Sequence, residues 1–199
     1  MTTNIFRKSA IARFASMVLI LLLLFVFAPQ NAHAAAYNIS SASFTQIALD
    51  VSGKEGNPMD MTFNDDGTTL YVMGYNTDDI NEYTLSTPYD ISSASFTQMA
   101  LDVSGQESIP LDMTFNNDGT TLYVTGVDGD DINEYTLSTP YDISSASFTQ
   151  IALDVSGQET SPSSLIFNND GTTLYMMGQT GDDINEYTLS TPYDISSAS

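Results

Sequence analysis

Three observations predict an all-β fold. The phrase that opens at Tyr37 opens again at Tyr89, Tyr141 and Tyr193, a constant spacing of 52 residues. Within each copy, four short segments alternate apolar and polar residues with the period of two that a strand requires, and Asn, Asp, Gly and Pro separate them. Beyond residue 34 no stretch has helical periodicity. Four antiparallel strands repeated every 40 to 50 residues or so are the pattern of a propeller blade; a parallel β-helix uses shorter coils, and a sandwich does not repeat itself so closely. The predicted fold is a β-propeller of four-stranded antiparallel blades in three repeats, 37–88, 89–140 and 141–192, with 193–199 opening a fourth.

Residues 1–34 read as an export signal and 35–199 as the repeat domain. Arg7, Lys8 and Arg13 give a positive start, residues 14–28 are almost wholly apolar, and Ala32-His33-Ala34 places small residues at a cleavage site. An apolar run of about 15 residues is shorter than the roughly 20 that a spanning helix needs, so no membrane association beyond export is expected. The expectation is a bacterial protein that is secreted, periplasmic or displayed at the cell surface.

The second copy shows the elements in order. In LDMTF at 111–115, Leu111, Met113 and Phe115 share one side and Asp112 and Thr114 the other. Asn116-Asn117-Asp118-Gly119 turns the chain, because these residues accept the positive φ of tight hairpins. TLYVTG returns at 121–126, and a short loop at 127–129 leads into DINEYTL at 131–137. The connector STPYDISSAS then precedes SFTQIALDV at 147–155. Named from the axis outward, these are strands a, b, c and d.

The stretch DGTTLYVTG at 118–126 resembles the core of the YVTN-type repeats of bacterial β-propellers, in the lactonase-like propeller superfamily. The likeness runs in all three copies from Pro58, Pro110 or Pro162 through strand c. It implies the propeller fold and leaves function open among scaffolds, surface proteins and lactonase-like enzymes. Gly126 stands where those repeats favour Asn.

The repeat domain begins with a d-strand, SFTQIALDV at 43–51, and its last blade lacks one. The N-terminal strand is therefore expected to complete the last blade and so remove an open edge. Three blades are fewer than the usual four to eight. A closed ring then requires either further repeats or a homodimer of two chains joined head to tail.

Past the signal, one base (Lys54) faces 25 acids, a formal charge of −24, with no Cys, His, Arg or Trp. Such a polyanion repels nucleic acid, whose binding depends on Lys and Arg. Without His or Cys there is no Ser-His-Asp or Cys-His chemistry, and without Arg no bidentate grip on phosphate. What survives is a carboxylate pair or a metal held by acids, as a lactonase-type hydrolase would use. Asp60 and Asp112 on strand a are the candidates, with Ser164 at the same place in the third copy.

Copies two and three differ at 11 of 52 positions, and the differences concentrate in two connections that lie on one propeller face. The d-to-a segments read KEGNPMD, QESIPLD and QETSPSS; the b-to-c loops read YNT, VDG and QTG. The opposite connector is identical wherever complete. This predicts a non-catalytic scaffold that binds a protein or carbohydrate ligand through Tyr75, Asn76, Val127, Asp128, Gln179, Thr180, Asn57, Ile109 and Ser161. Asp78-Asp79, Asp130-Asp131 and Asp182-Asp183 open strand c near that face and are candidate calcium ligands, or else ordinary solvated loop acids. Tyr71, Tyr123 and Tyr175 in strand b, with Tyr83, Tyr135 and Tyr187 in strand c, recur once per blade, as packing between blades requires.

Overall fold

The computed structural model describes residues 40, 42–44 and 48–199, without the side chains of 98–100 and 150–152. The chain divides into two units, residues 1–46 and 47–199. The export signal expected over residues 1–34 lies outside the described residues. Among the described residues no helix is long and apolar enough to cross a membrane.

Residues 47–199 form antiparallel sheets in repeating units. The first comprises β1 (Pro58–Phe63), β2 (Thr69–Gly74), β3 (Asp79–Leu85) and β4 (Ala94–Asp102), in that order. The second repeats it with β5 (Pro110–Phe115), β6 (Thr121–Gly126), β7 (Asp131–Leu137) and β8 (Ala146–Asp154). The third has β9 (Pro162–Phe167), β10 (Thr173–Gly178) and β11 (Ile184–Thr188), and residues 198 and 199 pair with the end of β11. This is a β-propeller-like arrangement, as the 52-residue period predicts.

The core lies between sheets. Tyr71, Met73 and Ile80 of the first pack with Met113, Leu122 and Val124 of the second. Tyr123 and Ile132 of the second pack with Leu165, Leu174 and Met176 of the third. The strand-b tyrosines are the main links. Tyr71 stacks on Phe115 at 5.1 Å and Tyr123 on Phe167 at 4.9 Å, each crossing to the next blade. Their hydroxyls donate to the carbonyls of Tyr141 and Tyr193 in the next connector.

Those connector tyrosines place one constraint on STPYDISSAS. Tyr89, Tyr141 and Tyr193 have φ of 60 to 63°, a left-handed conformation costly for a bulky residue. Each is held there from two sides. The Tyr141 N–H donates to the Gly119 carbonyl at 2.8 Å, and its ring lies on the hairpin where a Cβ on Gly119 would meet it at 2.3 Å. The hairpin glycine thus has two tasks, its own φ of 69° and room for the ring.

The nine residues at 43–51 are identical to 147–155, yet the two segments differ in structure. At 146–154 they form β8 on β7, whereas residues 43, 44 and 48–51 belong to no strand, and 45–47 lie outside the described residues. Leu49 and Val51 instead pack on the first sheet beside Leu70, Val72, Tyr83 and Leu85. The strand expected over 43–51 is thus not formed among the described residues, where Leu49 and Val51 serve as apolar packing for the first sheet instead.

Candidate functional site

At one end of each blade the d-to-a and b-to-c connections meet, and a glutamate ties them together. Glu55, Glu107 and Glu159 are at most 1% exposed. Glu107 Oε1 accepts the N–H groups of Ile109 (2.8 Å) and Asp128 (3.0 Å), one from each connection. Glu159 Oε1 accepts those of Ser161 and Thr180, and its Oε2 that of Gly181 at 2.9 Å. Glu55 accepts the Asn57 N–H and the Thr77 hydroxyl. A carboxylate that gathers two or three N–H donors replaces the ladder these irregular segments lack.

The glutamate fits because strand b ends in glycine. A Cβ on Gly126 would stand 2.2 Å from the Ile109 carbonyl oxygen and 2.5 Å from Glu107 Cδ, and Gly74 and Gly178 are equally crowded. The clamp escapes a search for variable residues because Glu is the same in every copy. Its one visible trace is the departure of Gly126 from the resembled repeat.

Electrostatics separates the second clamp from the third. Burial pushes Glu107 up to about 6, against the pull of its two N–H donors, and its Oε2 has no hydrogen-bond partner among the described residues. The backbone N–H of Gly181 holds Glu159 below the ordinary carboxylate range. Burial leads at Glu107 and hydrogen bonding at Glu159, where the b-to-c loop supplies a further N–H donor.

The nine residues expected on the binding face do gather here. Asn57, Ile109 and Ser161 give their N–H groups to the clamp; Val127 and Gln179 donate theirs to the carbonyls of Ile109 and Ser161. Asp128 and Thr180 bind the clamp through backbone and meet the hydroxyls of Ser108 and Thr160 with their side chains. Tyr75, Asn76, Asp128, Gln179 and Thr180 are exposed. In these loops the exposed variable side chains stand on a fixed backbone, while the copies also differ at buried strand positions such as Met113 and Thr125.

The paired acids lie at the same end, with defined structural tasks. Asp78, Asp130 and Asp182 have φ of 54 to 57°, a turn conformation that Asp tolerates. The carbonyls of Asp78 and Asp130 accept the N–H groups of Val103 and Val155. Asp79 and Asp131 stand opposite Asp102 and Asp154 across the c–d ladder, and burial first, then that like charge, raises Asp79. Asp131 and Asp183 accept from the side-chain amides of Asn133 and Asn185. Among the described residues no three acidic side chains converge closely enough to hold a metal ion.

On the inner strands the structure joins two carboxyls that the sequence separates by 52 residues. Asp60 Oδ2 accepts the Met113 N–H at 3.0 Å, and Asp112 Oδ2 accepts the Leu165 N–H at 2.6 Å. Each inner aspartate thus binds the inner strand of the following blade. The Asp60 carboxyl stands close enough to Asp112 to raise its proton affinity, with Ser164 beside Asp112. Burial above all, and then Asp60, pushes Asp112 up to about 7.

This shift sets a pH dependence. Since Asp112 binds its proton more tightly folded than unfolded, its contribution to stability is complete below about 4 and is lost as pH rises to about 7. Glu107 acts in the same direction with its midpoint at about 6. The chain should resist urea better at pH 5 than at pH 8. Asp112→Asn, which keeps an acceptor for Leu165, should flatten that difference; an unchanged urea midpoint from pH 5 to 8 would contradict the raised proton affinity of Asp112.

No family model matches this sequence, and no curated protein is similar to it. Solved structures are similar in fold. A protein from Lactobacillus plantarum is 13% identical, with a TM-score of 0.53 over 71% of this chain and 40% of that one. A Bacteroides fragilis protein provisionally assigned as a 6-phosphogluconolactonase is 15% identical, with a TM-score of 0.49 over 67% and 35%. The periplasmic gluconolactonase of Pseudomonas aeruginosa is 15% identical, with a TM-score of 0.46 over 67% and 37%. The fold is propeller-like. The chain spans about two fifths or less of these structures, and at such identities the likeness concerns fold alone.

Proposed function

We propose that this chain is an exported, non-catalytic scaffold of YVTN-type repeats that binds a basic partner through the clamped face. One observation carries the reading: a buried glutamate ties the two variable connections of each blade together, and Tyr75, Asn76, Asp128, Gln179 and Thr180, loop positions that differ between copies, are exposed. Rigid loops lose little entropy on binding, which is how a scaffold diversifies a surface without losing its shape. The partner's charge follows from that of the chain, since acids open strand c in every blade and Lys54, the one base past residue 34, lies on the Phe96 ring at 4.1 Å.

The hydrolase reading has one favourable observation, the Asp60–Asp112 pair. It is weaker because both carboxyls spend an oxygen on the next blade's backbone, as packing requires and catalysis does not.

A lysine-rich synthetic peptide serves as probe. Binding measured by fluorescence anisotropy should weaken about tenfold on combining Tyr75→Ala, Asp128→Asn and Gln179→Ala, and should be unchanged by Ser92→Ala on the opposite face. Gluconolactone should not be turned over with or without added calcium or manganese. Metal-dependent turnover abolished by Asp112→Asn would replace this reading with the hydrolase.

A further inference from the structure

The outer face of the third sheet is bare, while on that of the first Leu49 and Val51 cover Leu70 and Val72 and leave Met61 exposed; the two faces match each other. Ile80 and Ile132 are 0% exposed beneath the following blade, but Ile184, their equivalent in the third sheet, is 70% exposed. Ile166 and Met177 beside it are also exposed, and with Leu165, Tyr175 and Met176 they line an apolar groove of about 330 Å³. At the other end Met61 is 64% exposed, whereas Met113 and Leu165, its equivalents, are buried. There Met61, Leu70 and Val72 line a groove of about 360 Å³ with Leu49 and Val51.

We infer that the open face of the third sheet is covered by the open face of the first sheet of a second copy, so that two chains join head to tail. The occupant is specified by the chain's own interfaces. Twice within the molecule, a face carrying the positions of Tyr175, Met177 and Ile184 is closed by a face carrying those of Met61, Leu70 and Val72. The polar contacts are in phase as well. Tyr71 and Tyr123 donate to the connector carbonyls of Tyr141 and Tyr193, while among the described residues Tyr175 has no such acceptor; the Tyr89 carbonyl of a second copy occupies the corresponding place.

The inner strand repeats the match. Asp60 and Asp112 accept the N–H of the next blade at Met113 and Leu165, which places the Ser164 hydroxyl opposite the Met61 N–H of a second copy. Along the outer edge, residues 198 and 199 bond the end of β11, and among the described residues no strand pairs with the rest of that edge. Residues 43–51 have the sequence that forms β8 on β7. Exposed apolar faces of this size are rare on chains that stay single. Two copies supply six sheets, within the usual range for a closed ring, and each copy both gives and receives the same face.

With a formal charge of −24 past residue 34, each copy repels the other at long range, so association strengthens with salt while the apolar contact is unaffected. Light scattering on the purified chain at about 0.15 M salt, where the Debye length is roughly 8 Å, should give twice the chain mass. Ile184→Glu and, independently, Met61→Glu should each raise the dissociation constant at least a hundredfold and give a single-chain mass, with the β-sheet circular dichroism retained. Tyr175→Phe should raise it several-fold. A single-chain mass for the unaltered protein overturns the inference. So does a double mass that survives both glutamate substitutions, or a larger assembly that they leave intact.

Discussion

Tyr123→Ala should destabilise the chain by about 3–5 kcal/mol, the cost of deleting a large buried side chain from a packed core. Tyr123 is fully buried, stacks on Phe167 of the next sheet and bonds the Tyr193 carbonyl. Tyr123→Phe separates the two contributions: it keeps the ring and removes the donor, and should cost only about 1–2 kcal/mol. Urea midpoints followed by circular dichroism measure both. Burial pushes the Tyr123 hydroxyl well above its ordinary value, so it stays a donor across the accessible pH range, and the two variants should keep their order from pH 5 to 8. If the alanine variant were no less stable than the phenylalanine one, the ring would not be what joins the second sheet to the third.

The second large effect is expected at a residue with no side chain. Gly126→Val should cost about 3 kcal/mol or more, because overpacking against backbone cannot relax and the displaced Glu107 leaves buried N–H groups without an acceptor. The obstacle is the Ile109 carbonyl oxygen as much as the glutamate, so adding Glu107→Ala should not restore stability. Gly105 is the control. A Cβ there meets nothing within 4 Å, and Gly105→Ala should stay within about 0.5 kcal/mol of the parent. Equal effects at the two glycines would mean that Gly126 is kept for backbone freedom and that the clamp is incidental. A weakened clamp should also loosen Asp128 and Val127, which can be read as faster amide exchange in those loops before global unfolding.

Much of the architecture is legible in the chain because strand chemistry is local. The period of two in LDMTF, the Asn-Asp-Gly hairpin and the repeat at Tyr89 and Tyr141 each concern neighbours in sequence. The strand-c residues Asn133 and Glu134 are less plainly patterned, since Asn133 is buried and bonds Asp131, a contact that polarity alone does not suggest. The variable loops were legible as well, by comparing one copy with another. Glu107 was not, because a residue identical in all copies looks the same whether it is required or merely inherited. Composition leaves the acid pairs open between calcium ligands and solvated loop acids; the structure adds the turn and strand-end contacts they make, through left-handed backbone and cross-strand register.

The sequence by itself determined strands, hairpins, the number of sheets and the face on which the copies differ, all of which follow from periodicity and turn chemistry over a few residues. Tertiary structure alone decided what neighbouring sheets do to one another. It brought Asp60 to Asp112, buried Ile132 while leaving Ile184 bare, and made a strand of 146–154 while the described residues 43, 44 and 48–51 belong to none. The physical reason is that identical side chains acquire different burial, proton affinity and pairing from whatever blade lies next to them, and adjacency between blades is written in no short stretch of the chain.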